Sequence, residues 1–408
     1  MKNSNILIFD NSITSRSKFN TGIQRTVRNL QCNLDGKLVD NFYIKFTPIN
    51  ESWFDKFDSP ELSSKNHVYS IFLHLVSIFF HFIQFIKLSP FGRVISSFIF
   101  FIKTFSFLFQ HKINRNKIYF VFSDSNWTRR GYFFLFINKK LFNNKNLSIF
   151  YDLGPYIYPE FFDNKLVFKF KKFWNKSYKL IDNFICISES VKSEVCSHWG
   201  LSDKVVLSFN LGSDLSVNNH VAPLYKVTKV QSYKNFLVLG SIEPRKNNEY
   251  ILENFIKLLD ENKPLSSKIR LIFIYNNSWK SENFFNNLYS SNYYNKNIFL
   301  QNNISDSELK NFFNSSYALV NSSIYEGYGL GLQEALNYNL KIFCSNIPVF
   351  KELYNKNAIF FDLANPNDLY NQILNDHKNF KSFTPKKNKI ISWNKSASNL
   401  IKIIKDAI

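Results

Sequence analysis

"YALVNSSIYEGYGLGLQEAL" (Tyr317–Leu336) passes from a strand-like apolar run, through a glycine-rich turn, into a helix expected over 330–338. Gly327, Gly329 and Gly331 fall within five residues, in a chain of 408 that holds only 11 glycines. Strand, glycine-rich loop and helix form a geometry that offers free backbone N–H groups and a positive helix end to phosphate. The helix start, Gly329 and Leu330 through Leu332, is where those groups would lie. Glu326 and Glu334 bracket the glycines with seven residues between them. Glu334 lies about one turn into the helix, so it can point back at the same ligand. A carboxylate accepts two hydroxyls at once, which suits a sugar. The alternative reading is a tight turn with close packing.

Outward from this stretch, strands and helices alternate in two series. The first runs through "NILIFD" (5–10), a helix in "TGIQRTVRNLQCNL" (21–34), "NFYIKFTPI" (41–49), "KIYFVFS" (117–123), "LSIFYDL" (147–153), and "NFICIS" (183–188) with a helix from Glu189. The second runs through "NFLVLGS" (235–241), helix 248–260, "IRLIFIY" (269–275), "NIFLQ" (297–301), helix 306–313, the stretch quoted first, and "KIFCS" (341–345). Strands alternating with helices at this spacing predict parallel sheets covered on both faces. The expected fold class is α/β, with two Rossmann-like, doubly wound domains and a cleft between them. The N-terminal domain is expected over 1–222, the C-terminal domain over 223–390, and a final helix, roughly 392–406 within 391–408, crossing back to the first domain. The polar stretch 216–234 is the candidate linker.

Residues 51–116 interrupt the first series with two apolar runs, 71–86 and 94–109. His74, Ser77, His81 and Gln84 form a narrow polar stripe on the first run, and Ser96, Lys103, Ser106 and Gln110 on the second. Each run is about 16 residues, short of the roughly 20 needed to cross a bilayer. Amphipathic helices lying in a membrane interface fit this pattern, and a buried helical hairpin of the first domain is the alternative.

"LGSIEPRKNNEY" (239–250) is the second informative cluster. Gly240 closes a strand, and Arg245 and Lys246 stand just before a helix. Two adjacent cations there can meet a diphosphate; a solvated charged turn is the alternative.

Composition narrows the classes. The net charge of +20 points to an anionic partner, although scattered lysines in a Lys-, Asn-, Ile- and Phe-rich chain also follow from biased composition. Neither a one-faced cation cluster nor an aromatic RNA-binding signature accompanies the charge, which argues against nucleic acid. No G-x-G-x-x-G follows the first strand, which argues against a nicotinamide enzyme. Cys32, Cys186, Cys196 and Cys344 make no C-x-x-C pair, which argues against a disulfide framework or a zinc site. The short apolar run after Lys2 reads as a strand rather than a signal peptide, so a cytoplasmic protein is expected.

Together the two clusters resemble the retaining GT-B glycosyltransferases of family 4. That family carries an E-x7-E motif, matched by Glu326 and Glu334, and a G-x-I-E-P-R-K-N stretch, matched from Gly240 to Asn247. "SNIPVFKELYNKNAIFFDLANPNDL" (345–369) is also similar. The N-terminal half resembles a polysaccharide-biosynthesis branch in "TGIQRTVRNL", "SDSNW" (123–127), "YDLGPYIYPEFF" (151–162) and "ICISESVKSEV" (185–195). The resemblance implies a nucleotide-sugar donor, GDP- or UDP-linked, and a hexose, with a lean to mannose. It also implies a lipid-linked or polysaccharide acceptor, in cell-surface glycan assembly at the inner face of the membrane. Glu326 would touch the donor sugar and Glu334 the ribose. Gly22 would let its loop approach the donor, and Asp152 would contact acceptor or donor sugar. The chain contains no D-x-D, so a metal-free route is expected, with Arg245, Lys246 and the helix start stabilising the leaving diphosphate. Ser241 stands where some members carry arginine, a single glycine marks the N-terminal loop, and Tyr151 replaces a frequent histidine. A membrane-associated scaffold without turnover is the alternative function.

Overall fold

The computed structural model describes residues 5–17, 22–39, 41–49, 117–203, 205–213, 233–378 and 391–408, together with six positions between 100 and 109. The expected linker through residue 232, the first apolar run and most of the second, and both expected domain boundaries lie outside the described residues.

The first sheet contains β1 (Asn5–Asp10), β2 (Leu38–Val39), β3 (Phe42–Thr47), β4 (Ile118–Phe122), β5 (Lys145–Phe150), β6 (Asn183–Cys186) and β7 (Val206–Ser208), ordered β2-β3-β1-β4-β5-β6-β7. Every neighbouring pair is parallel except β2 with β3. The second sheet contains β8 (Lys234–Leu239), β9 (Ile269–Tyr275), β10 (Ile298–Asn302), β11 (Ala318–Asn321), β12 (Lys341–Ser345) and β13 (Ala358–Phe361), ordered β10-β9-β8-β11-β12-β13, all parallel. Runs such as "IYFVF" and "KIFCS" are buried along their whole length. Such runs suit sheets with helices on both faces, because no side chain of the strand meets water.

Alternate residues of the second sheet feed two separate cores. Phe236, Val238, Ala318, Val320 and Phe343 belong to one; Leu237, Leu319, Ile342 and Cys344 belong to the other. That alternation is the period-two geometry of a strand. Side-chain caps start several helices: Asp163 accepts from Lys165 N and Leu166 N, Ser188 from Val191 N, and Ser392 from Lys395 N. Helix Glu189–Trp199 ends on Gly200 at φ +63°, where the left-handed backbone favours glycine.

The last helix, Trp393–Ala407, contributes Trp393, Ala397, Leu400, Ile401 and Ile404 to the core of the N-terminal sheet. Ser396 Oγ donates to Asn210 O, and Ser213 N to Ile391 O. A Cβ at Gly212 would lie 2.4 Å from Trp393 Cα, so only glycine admits this approach. Of the second apolar run, Phe100, Thr104 and Leu108 are buried against the N-terminal domain, while Phe105 and Phe109 are 41% and 50% exposed. Among the described residues no helix is long and apolar enough to cross a membrane.

Candidate active site

Strand order locates the crevice. In the second sheet the chain proceeds one way from β8 to β9 and the other way from β11 to β12, so β8 and β11 flank the switch point. Ligands of open α/β sheets sit outside the carboxyl ends of strands at such a point. Both motifs found in the sequence begin there, after Leu239 and after Asn321.

Gly240 has φ +123°, which turns the chain out of β8. A single 3-10 turn, Pro244–Lys246, then presents the two cations, and helix Asn248–Glu261 follows. Ile324 N donates to Arg245 O, and Ser322 Oγ to the carbonyls of Lys246 and Asn247, so the two motif loops are tied together. Arg245 NH1 pairs with Glu326 Oε2 at 2.9 Å, and Lys246 Nζ pairs with Glu326 Oε1. Ser323 Oγ donates to the same Oε1 at 3.0 Å. Burial alone would raise the Glu326 pKa, but Arg245 and Lys246 outweigh it and hold the carboxyl at about 2. Burial opposes the charge on Arg245, yet Glu326, Glu243 and Asp152 hold its pKa above the ordinary value.

Gly329 is the N-cap of helix Leu330–Asn337 at φ +90°, and a Cβ on it would meet Phe350 Cε1 at 2.7 Å. Gly327 has a different reason. A Cβ there would lie 2.1 Å from Tyr151 O in the N-terminal domain, and Ser188 Oγ donates to Gly327 O at 2.9 Å. Gly331 faces Leu239 at ordinary contact distance, and Leu330 packs against the N-terminal core. Gly22 opens the first helix with nothing within 4 Å of an added Cβ, so the described atoms make no steric demand for glycine there.

Asp152 sits at the cleft, with Oδ1 accepting from Gly154 N at 2.9 Å. Burial raises its pKa, opposed by the charge of Arg245. The structure therefore brings Glu326, Arg245, Lys246 and Asp152 together. Glu334 pairs with Arg25 NH1 of the first helix at 2.8 Å. Burial still lifts the Glu334 pKa to about 7 against that pairing.

The sequence reading missed Arg25, Glu243, Tyr325 and Glu194. Tyr325 OH donates to Glu194 Oε2 at 2.6 Å and accepts from Leu153 N at 2.9 Å, bridging the domains beside Asp152. Glu194 is lifted to about 7, mainly by burial. Glu243 Oε1 accepts from Arg245 NH2 at 2.7 Å. Arg25 was the legible one: the chain has nine arginines, and it stands three residues after Gly22.

The comparisons with known proteins concern the family and the fold. The family model described as "Glycosyl transferases group 1" matches residues 226–405. The serotype-specific mannosyltransferase WbdA of Escherichia coli is 31% identical over 204 residues, 46% of this chain and 24% of that protein. The chain thus spans about a quarter of the length of that relative. The O-antigen chain mannosyltransferase RfbU of Salmonella typhimurium is 28% identical over 229 residues, 56% of this chain and 58% of that protein. The crystal structure of Anabaena HepE in complex with UDP and glucose superposes with a TM-score of 0.63 at 10% identity, covering 98% of this chain and 99% of that one. The two-domain frame is the GT-B fold.

Proposed function

We propose, for a chain whose residues 226–405 are a glycosyl transferases group 1 domain on a GT-B frame, a hexosyltransferase that moves a hexose from a nucleotide sugar to a saccharide acceptor. The observation that carries this reading is Glu326 held between Arg245 and Lys246 at the β8/β11 switch point. Breaking the bond to a nucleoside diphosphate leaves negative charge on the departing phosphate, and that charge must be stabilised. Arg245 and Lys246 supply two cations, and the start of helix Leu330–Asn337 supplies backbone N–H groups. An arriving diphosphate competes with Glu326 for those cations and frees its carboxylate to accept hydroxyls of the donor sugar. Glu334 accepts the ribose hydroxyls in exchange for Arg25. Asp152 reaches the sugars from the N-terminal domain.

With two cations at the leaving group the reaction needs no metal ion. Retention of configuration follows the family resemblance. The two mannosyltransferases among the relatives make mannose the favoured hexose and O-antigen or capsule assembly on a lipid-linked acceptor the favoured setting. The net charge of +20 and the exposed Phe105 and Phe109 support peripheral attachment to the inner face of the cytoplasmic membrane.

The test is donor hydrolysis and transfer over a panel of GDP- and UDP-linked hexoses, in EDTA, for wild type and Glu326→Gln. Turnover of one donor that survives EDTA and falls by at least 100-fold in the variant is expected, the scale of losing one preorganised charge contact. Nucleotide binding with no turnover on any donor would turn the reading to a scaffold.

A further inference from the structure

Two loops, one from each domain, lie side by side at the cleft. One follows β5 and carries Asp152; the other follows β11 and carries Glu326. A Cβ added at Gly327 would lie 3.3 Å from Asp152 Cβ, which measures how closely the two loops approach. Leu153 directly follows Asp152, and Tyr325 directly precedes Glu326.

A single hydroxyl joins those two neighbours. Tyr325 OH accepts from Leu153 N at 2.9 Å and donates to Glu194 Oε2 at 2.6 Å. A phenol has one hydrogen to give. Glu194, on helix Glu189–Trp199, takes it, so the lone pairs of the oxygen are left for the Leu153 amide. The backbone of Tyr325 is held as well. Its carbonyl accepts from Arg245 NH1 at 2.9 Å, and the same NH1 pairs with Glu326. Tyr325 is buried, and its ring lies 5.4 Å from that of Tyr158, so packing restricts its rotamers. One residue thus runs from the Arg245–Glu326 pair to the backbone beside Asp152. A different clasp joins the domains at their exposed rim. Glu352 accepts from Glu189 N, Ser190 N and Ser190 Oγ at the start of the Glu194 helix.

We propose that Tyr325 is a positioning residue for the transfer step, resting on the transferase reading above. Its hydroxyl, oriented by Glu194, sets the Asp152 loop of the N-terminal domain against the Glu326 loop of the C-terminal domain. Arg245, Lys246 and the start of helix Leu330–Asn337 all belong to the C-terminal domain, so the hold on the donor diphosphate does not need this bridge. Transfer needs groups of both domains in one geometry, and a misplacement of about 1 Å costs about 100-fold in rate. The bridge therefore governs kcat rather than donor binding.

Tyr325→Phe keeps the ring and removes the hydroxyl. Over the panel of GDP- and UDP-linked hexoses, kcat on the donor that turns over should fall about tenfold, with the donor KM unchanged. Glu194→Ala should fall alike, and Glu194→Gln, which keeps an acceptor oxygen, should lose less. The double variant Tyr325→Phe with Glu194→Ala should fall no further than the worse single, because both act through one contact. Glu352→Ala, which loosens the domains at the rim, should lose less than Tyr325→Phe. A second readout needs no turnover. Residue-resolved hydrogen exchange on the full chain should quicken at the Leu153 amide in Tyr325→Phe and in Glu194→Ala, while β9 amides keep their protection and report an intact fold. Unchanged kcat in Tyr325→Phe, a raised donor KM with kcat kept, additive losses, or an unchanged Leu153 amide would overturn the proposal. So would an equal loss in Glu352→Ala, since Tyr325 would then be one domain contact among several. Wild type without turnover on any donor, together with a quickened Leu153 amide in the variants, would sink the transferase reading and keep the bridge. Neither turnover nor quickening would sink both.

Discussion

At the scale of single residues, the chain holds buried carboxylates, in the candidate site and in the core beside it, whose environments push their pKa values apart. Glu326 is held down by two cations, while Asp10, Glu194 and Glu334 are lifted to about 7. Asp10 is the clearest case. Burial is the main cause, Asp124 adds like charge, and hydrogen bonds from Ser12 and Asn126 oppose both. A folded-state value above the ordinary 3.8 means that the folded protein holds this proton more tightly than the unfolded chain. The stability it contributes is full below about 4 and is lost as pH rises through about 7. We expect the melting temperature to fall across that window and the slope to flatten in Asp10→Asn. Glu194 and Glu334 leave a residual slope of the same sign. An unchanged slope in thermal scans would contradict the assignment. Glu326 acts in the opposite sense, since its contribution disappears only as pH falls from 4.5 toward about 2.

At the scale of elements, the helix Trp393–Ala407 belongs to the fold of a domain it follows by nearly two hundred residues. Leu400 is fully buried within the N-terminal core. Leu400→Ala should destabilise the protein by about 2–5 kcal/mol, read as a lower urea midpoint. A change under about 0.5 kcal/mol would mean that the helix is not docked there. The segment around Phe105 is the other element of interest. Its Phe100 and Leu108 are core residues, so deleting it confounds membrane binding with folding. Phe109→Ser removes the more exposed ring and leaves Phe105 packed against Phe142. Sedimentation with anionic vesicles should fall several-fold; equal sedimentation would remove this ring from any membrane role.

At the scale of the molecule, the cleft is lined by loops of both sheets that meet at several points. Gly327 is the tightest approach among the described glycines across it, 2.1 Å from Tyr151 O for any added Cβ. Gly327→Ala must push the domains apart or bend the loop that carries Glu326. A shift of about 1 Å at a reacting group costs about 100-fold in rate. We expect that loss in kcat/KM, with melting little changed, because both domain cores remain intact. Activity within threefold of wild type would show that the cleft tolerates a wider separation.

The sequence by itself determined the two parallel sheets, since unbroken apolar strands alternating with helices bury no other way. It also placed the core of the candidate site. Gly240, Arg245, Lys246, Glu326 and Gly329 lie within two short segments, each following one strand, so local spacing places them. Only the tertiary structure decided the rest. Arg25 with Glu334, Tyr325 with Glu194 and Leu153, and Gly327 with Tyr151 each join residues more than one hundred positions apart. Periodicity reports which face of an element is buried, but not which distant element covers it. Glu334 shows the consequence. Its spacing from Glu326 places it on the same glycine loop and helix, and only the packing of the first helix against the cleft brings Arg25 to it.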